Sequence, residues 1–305
     1  MNEFEWSRPG QARSLDNAAT VDVGAREHQR LPLGSPVLIE AGLAQRDYWR
    51  DLWAKRELVY FLAWRDIIVK YKQTMVGILW VLMRPMFTLL VFTLVFGKIA
   101  ALPSSHVPYP LLVFSGLMPW LFFAAAVTEI SSAVQNNSAL VGKIYFPRLI
   151  VTLSVLLACL VDYLVSALLI GVVALWTGAP PDWRIVYLPL LTLWVAAFAY
   201  GLGLCGAALN VRYRDFRHLV PFALQLGVYV SPVGYSAGLV PERWRWVYSL
   251  NPMTGIIDGF RWAMVGEQFD VYLPGMLFSI ATTVFVLWLG LRNFRKVERQ
   301  FVDYL

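Results

Sequence analysis

Apolar residues gather along this chain into six stretches of about 20 residues or more, the length that crosses a ~30 Å hydrocarbon layer as a helix. They run over residues 76–96, 110–133, 149–176, 186–209, 219–238 and 271–291, and together hold only three of the 46 acidic and basic residues, Arg84, Glu129 and Asp162. Two further segments are neither span nor simple loop. Over residues 55–73, at 100° per residue, Tyr60, Phe61, Trp64, Ile67, Ile68 and Tyr71 share one stripe, while Arg65, Asp66, Lys70 and Gln73 face away. That periodicity predicts an amphipathic helix lying along a membrane surface, either as an anchor or as a lever against a partner. Residues 240–266 are too polar to span, with Arg243, Trp244, Arg245, Trp246, Asp258, Arg261 and Trp262. Pro241 can start one short helix, and Asn251-Pro252 reads as an N-cap followed by proline at the first helical position. A re-entrant or interfacial helix pair between the last two spans is expected, against the simpler reading of two surface helices with a tryptophan belt.

Composition agrees with a membrane chain. Apolar residues make up 58% and charged residues 15%, against about 25% charged in soluble domains, and the mean hydropathy is +0.56. The net charge of +6 follows from topology rather than from nucleic-acid binding, because Lys and Arg collect in cytoplasmic loops. One set of alternate connections carries 16 of them and the other 5, which places both termini in the cytoplasm. The expected fold is an all-α membrane protein with six transmembrane helices, a preceding amphipathic interface helix, and the re-entrant outer pair. Residues 1–36 read as a flexible cytoplasmic tail, 37–75 as the segment bearing the interface helix, 76–295 as the transmembrane domain and 296–305 as a cytoplasmic C-terminus.

Catalytic and nucleotide chemistry is missing. The Gly-Lys pairs at 97–98 and 142–143 are each followed by isoleucine, so no phosphate-binding loop is present. His28, His106 and His218 lack metal-ligand spacing, and no metal site is expected. Among the charged span residues, Asp162 is either a functional group or one satisfied by a neighbouring helix. Arg84 either snorkels or faces an aqueous path and meets an anion; Pro85 beside it frees the Val81 carbonyl. In the fifth stretch Phe222, Gln225, Tyr229, Pro232 and Ser236 share a face that lines a path or packs internally. Ala199, Gly203 and Ala207 in the fourth recur every four residues, a helix-packing signal.

Several blocks of the sequence resemble the membrane subunit of bacterial ABC polysaccharide exporters. They are Arg65-Asp66-Ile67 through Tyr71-Lys72-Gln73-Thr74, then Gly77, Trp80 and Pro85; residues 92–97; Gly116 to Trp120; Asn136 through Gly142-Lys143-Ile144-Tyr145-Phe146-Pro147-Arg148; Asn210 to Asp215; Leu250 to Met253; and Gly259 to Trp262. The resemblance covers about residues 37–295. It implies a homodimeric permease of the cytoplasmic (inner) membrane that exports lipid-linked polysaccharide (O-antigen, capsule or a similar glycan). It also implies two copies of a separate ATPase that bind the ATP and Mg, with no cofactor and no catalytic residue on this chain. Trp80, Arg84, Phe222, Gln225 and Tyr229 would line the substrate path. Arg65, Asp66, Tyr71, Lys72, Lys143, Tyr145, Phe146 and Arg148 would couple to the ATPase, and Trp244, Trp246, Asn251, Pro252, Arg261 and Trp262 would form an outer gate. The rival readings are an exporter of a drug or small lipid, a membrane enzyme acting on lipid-linked sugars, and a carrier without an ATPase.

Overall fold

The computed structural model describes residues 48–72, 77, 79–101, 107–141, 146–178, 182–213, 215–236, 240–266, 269 and 271–298. The tail assigned to residues 1–36 lies outside them, as do Gln73, Lys143 and Tyr145. Among the described residues every regular element is helical: α1 Tyr48–Ala54, α2 Arg56–Lys72, α3 Leu79–Phe92 with a π-helical extension Thr93–Ile99, α4 Tyr109–Asn136, α5 Ser138–Val141 and α6 Leu149–Thr177. A 3-10 turn, Trp183–Tyr187, leads into α7 Leu188–Arg212, followed by α8 Phe216–Val230, α9 Glu242–Tyr248, α10 Pro252–Val265 and α11 Leu273–Glu298.

Five of these helices are long and apolar enough to cross a membrane: Leu79–Ile99, Tyr109–Asn136, Leu149–Thr177, Trp183–Arg212 and Leu273–Glu298. The stretch at 219–238 differs from its expected single helix. Helix α8 has 15 residues, about 22 Å at 1.5 Å per residue and short of the hydrocarbon thickness. It ends because Pro232 has no amide hydrogen and forces the preceding Ser231 into extended backbone, with ψ at 151°. The chain nevertheless continues along α4. Arg217 donates to Gln135 at 2.6 Å near one end of α4, Gly227 lies under Trp120, Val233 touches Gly116, and the Gly234 carbonyl accepts from the Tyr109 hydroxyl at 2.6 Å at the other end. Ser231 to Gly234 are all buried, the condition under which irregular backbone is tolerated at membrane depth.

Helix α4 is the centre of the bundle, with every residue from Leu111 to Trp120 buried. The small residues of α7 let it approach α4 closely: a Cβ on Gly203 would stand 2.8 Å from Ile130 and one on Gly206 2.9 Å from Ser131, while Ala199 and Ala207 are buried. Phe123 stacks on Phe198 at 5.1 Å between these helices. On its other face α7 meets α11 backbone to backbone, where a Cβ on Gly290 would collide with the Gly201 carbonyl. Gly290→Ala is therefore expected to cost about 1–3 kcal/mol by overpacking. Gly171→Ala, where nothing lies within 4 Å, should be neutral or slightly stabilising. Thermal unfolding of the two variants in one detergent checks the contrast.

Candidate functional site

Of the expected coupling residues, Arg65, Asp66 and Phe146 come together where α2 meets the connection between α4 and α6. Leu62 of α2 is buried and packs with Phe146, Ile150 and Val151. The Arg65 guanidinium donates to Asn137 Oδ1 at 2.8 Å and to its neighbour Asp66, while the Asn137 amide donates to the Ala133 carbonyl at 3.0 Å and closes the end of α4. Phe146 corrects the expectation that it stands on a docking surface: it is 6% exposed and wedged into this cluster. An aromatic ring of that size contributes more by burial than by display. Lys72 is exposed, and Arg148 turns toward the end of α11.

Farther along, Lys70 and Tyr71 in the last turn of α2 both donate to the carboxylate of Asp162 on α6. Asp162 is thus satisfied by a neighbouring helix. Burial first, and then this carboxylate, push the Tyr71 phenol above its ordinary range, so it remains a donor. Because Leu62 packs at the start of α6 and Tyr71 binds 13 residues into it, α2 runs lengthwise beside the first half of α6. The stripe of α2 expected to be apolar faces outward, with Tyr60 and Phe61 more than 60% exposed and Trp64 52%. The contacts to the bundle are made by Leu62 and Ala63, with Arg65 and Lys70 on their flanks and Tyr71, a member of the stripe that turns in, at the end. Aromatic rings left outward on a helix whose inner side is already packed are an arrangement that lipid stabilises and water does not.

Two helices leave polar and aromatic side chains uncovered on the flanks of α4. On α3, Pro85, Leu89 and Phe92 turn into the bundle, and Trp80 and Arg84 are exposed. The Val81 carbonyl left without a partner by Pro85 lies 3.3 Å from the Ser166 hydroxyl of α6, whose proton is shared with the Asp162 carbonyl at 3.0 Å. On α8, Val220, Leu224 and Val228 pack inward. At 100° per residue Phe222, Gln225 and Tyr229 fall on the opposite side, and all three are exposed. The internal-packing alternative therefore fails within this chain for these three, whereas Pro232 of the same expected stripe is buried and Ser236 half-buried beyond the end of α8.

Two helices, α9 and α10, form where the proline punctuation placed them. Asn251 caps α10, its Oδ1 accepting from the Met253 amide at 3.0 Å with Pro252 at the first position. Its amide nitrogen donates to Ser231 Oγ at 2.8 Å. The two-surface-helix reading fails for α10, where every residue from Met253 to Arg261 is buried against α4, α7 and α11, and holds for α9, whose tryptophans are exposed. Arg261, expected on a gate surface and counted among loop cations, is 0% exposed and donates to the carbonyls of Pro232 and Val233. It holds the broken end of α8. Burial pushes the Asp258 carboxyl one turn away up to about 6, with Arg261 opposing the rise. Trp262 packs tilted against Tyr187 with ring centres 5.4 Å apart and the Arg184 guanidinium 5.3 Å from its own ring centre, while Trp244 and Trp246 are exposed. Sequence reasoning missed the break at 231–232, which the Ser-Pro dipeptide signals, and missed Glu298, which no local pattern marks.

Comparison with known proteins agrees with this geometry. The profile of the ABC-2 type transporter family matches residues 57–265, which takes in α2, both flanking helices and the α9–α10 pair. The O-antigen export system permease protein RfbA of Myxococcus xanthus is 27% identical over 257 residues, covering 83% of this chain and 97% of the relative. A protein of the same description from Klebsiella pneumoniae is 24% identical over 250 residues, covering 82% and 95%. The polysialic acid transport protein KpsM of Escherichia coli is 22% identical over 238 residues, covering 77% and 91%. With more than half of its length matched by one family, this chain belongs to the ABC-2 type transporters.

Proposed function

We propose that this chain is the membrane subunit of an ATP-driven exporter that moves a lipid-linked cell-surface polysaccharide, of the O-antigen or capsule kind, across the bacterial inner membrane. The observation that carries the reading is the end-to-end match with relatives named for O-antigen export. The uncovered face of α8 supports it: flat rings and an amide (Phe222, Gln225, Tyr229) suit a hydroxyl-rich sugar chain better than a hydrocarbon one. A second copy of the chain covers the exposed flanks of α3 and α8, and Trp80, Arg84 and the α8 stripe then line the path. The chain makes six crossings with both termini in the cytoplasm, the fifth completed by the buried 231–234 segment. ATP and Mg are bound by a separate ATPase, two copies per dimer, which docks on the α4–α6 connection with Lys143, Tyr145 and Arg148. The α9–α10 pair re-enters from outside as a gate, with Trp244 and Trp246 at its surface.

The test is purification from native membranes in mild detergent, with mass spectrometry of what accompanies the chain. A stoichiometric subunit with a phosphate-binding loop is the expected companion. A chain that comes alone and supports transport or catalysis unaided overturns the reading in favour of a carrier or an enzyme.

A further inference from the structure

The two helix ends nearest the α4–α6 connection cap each other. The backbone amide of Arg148, at the start of α6, donates to Glu298 Oε1 at 2.7 Å. The guanidinium of the same Arg148 donates to the backbone carbonyl of Glu298, at the end of α11. A helix N-terminus presents unsatisfied amides and partial positive charge, and a C-terminus presents unsatisfied carbonyls and partial negative charge. A carboxylate on the first and a guanidinium on the second is the favourable pairing at both ends. The other oxygen of the same carboxylate, Oε2, accepts from the Tyr48 hydroxyl of α1 at 2.9 Å. The Arg295 guanidinium, one turn back along α11, covers the Tyr48 ring at 4.8 Å. One side chain thereby ties α1, α6 and α11.

The opposite end of the connection is held separately, by Arg65 of α2 on Asn137 at 2.8 Å. The two anchors lead to different helices. Through Arg65 the connection is joined to α2, and through Lys70 and Tyr71 to the middle of α6. Through Glu298 it is joined to α11, which packs along α7 with glycine-to-glycine contact.

We propose that Glu298 is a positioning residue for energy coupling: it fixes the α6 base of the ATPase-docking connection to α11 and α1, so that a push on the connection displaces those helices as one unit. This rests on the reading of the α4–α6 connection as the ATPase-docking element. Glu298 itself touches neither nucleotide nor polymer. Its loss should separate two quantities that a fold defect lowers together, ATP hydrolysis by the assembled complex and polymer delivered to the surface.

The experiment uses the full chain produced with its own ATPase in the native host, as parent, Glu298→Ala, Glu298→Gln and Tyr48→Phe. Three things are measured: ATPase copurified per chain, ATP hydrolysis by the purified complex, and surface glycan per cell on gels of extracted polysaccharide. Glu298→Ala should keep full ATPase stoichiometry and hydrolysis within about twofold of parent while surface glycan falls about fivefold or more, the lower end of common coupling factors. Glu298→Gln, which keeps an acceptor oxygen, should recover part of the loss, and Tyr48→Phe should lower export less than Glu298→Ala. Parental glycan from an assembled Glu298→Ala complex overturns the proposal. So does parallel loss of stoichiometry and hydrolysis in a chain that is normally inserted, because Glu298 would then act in docking. If Glu298→Ala is not recovered from membranes, Glu298→Gln decides, and parental export from it is again fatal. A parent chain that brings down no ATPase defeats the functional reading instead, before any variant is compared.

Discussion

Lys70→Met is expected to destabilise the folded protein by about 1–3 kcal/mol, and Asp162→Asn in the same chain to restore most of that loss. The Lys70 ammonium is half exposed and the Asp162 carboxylate mostly covered, at 54% and 21% of their side-chain surfaces. The full cost of breaking a buried pair, about 3–5 kcal/mol, is therefore discounted for solvent screening. What remains is the penalty of a carboxylate that keeps the Tyr71 phenol as donor but loses its ammonium, about 20 Å along α6 from its first residue. Asparagine removes the charge that needed an ammonium and still accepts from Tyr71. The prediction is thus non-additivity, measured as a double-mutant cycle on thermal unfolding in detergent. Additive losses would mean that the two side chains do not depend on each other, and that α2 is held by the Leu62–Phe146 cluster and the Arg65–Asn137 bond.

The pair also bears on how α2 can act. Clamped near Leu62 and again at Asp162, α2 is a strut beside α6 and not a loose surface anchor. The outward stripe of Tyr60, Phe61 and Trp64 is then free to lie against lipid while its other side follows the bundle. An anchor and a lever were open alternatives in the sequence, because 100° periodicity reports two faces without saying which one meets protein.

That limit explains most of what was and was not legible. Long apolar runs predict spans directly, since length and hydropathy suffice, and five of the six stretches fold as continuous helices. Local chemistry was equally readable: Asn251 caps through its own side chain, and Pro85 releases the Val81 carbonyl, although the Ser166 hydroxyl that meets it comes from another helix. The small-residue repeat of α7 predicts close packing, and α4 is what packs there. Facts that need two distant segments at once were not readable. Window hydropathy passes over Ser231-Pro232 because both flanks are apolar. Arg261 reads as a loop cation because its acceptors, the Pro232 and Val233 carbonyls, are defined only by that break. Phe146 reads as a display residue because the pocket it fills is made by α2 and α6. The α8 stripe was visible as a mixed face, while its exposure depends on which side Val220, Leu224 and Val228 bury.

The largest loss is expected at Arg261. Arg261→Leu should cost about 3–5 kcal/mol and leave little folded protein, because it removes the donor of two buried carbonyls as well as the volume that fills the site. The side chain is fully buried beside Gly116, whose missing Cβ leaves room for Nη2; a Cβ there would stand 3.1 Å from it. Arg261→Lys keeps the charge, but both bonds come from Nη2 at the far end of the guanidinium, and the shorter lysine side chain ends before that point. It should therefore rescue only partly, with a residual loss of about 1–2 kcal/mol, near the worth of one charged hydrogen bond. Size-exclusion profiles of fluorescently tagged protein, read against heating, give the order parent, Lys, Leu. Equal stability of the lysine variant and parent would show that charge alone holds the end of α8. A tolerated leucine would show that the 231–234 backbone finds other donors, leaving Tyr109 on Gly234 and Asn251 on Ser231 to hold it. The physical stake is the segment after α8: irregular backbone that follows a 15-residue helix is tolerated at membrane depth only if the protein satisfies it. Arg261 is the buried group placed to do that, since its guanidinium meets both carbonyls that follow the break.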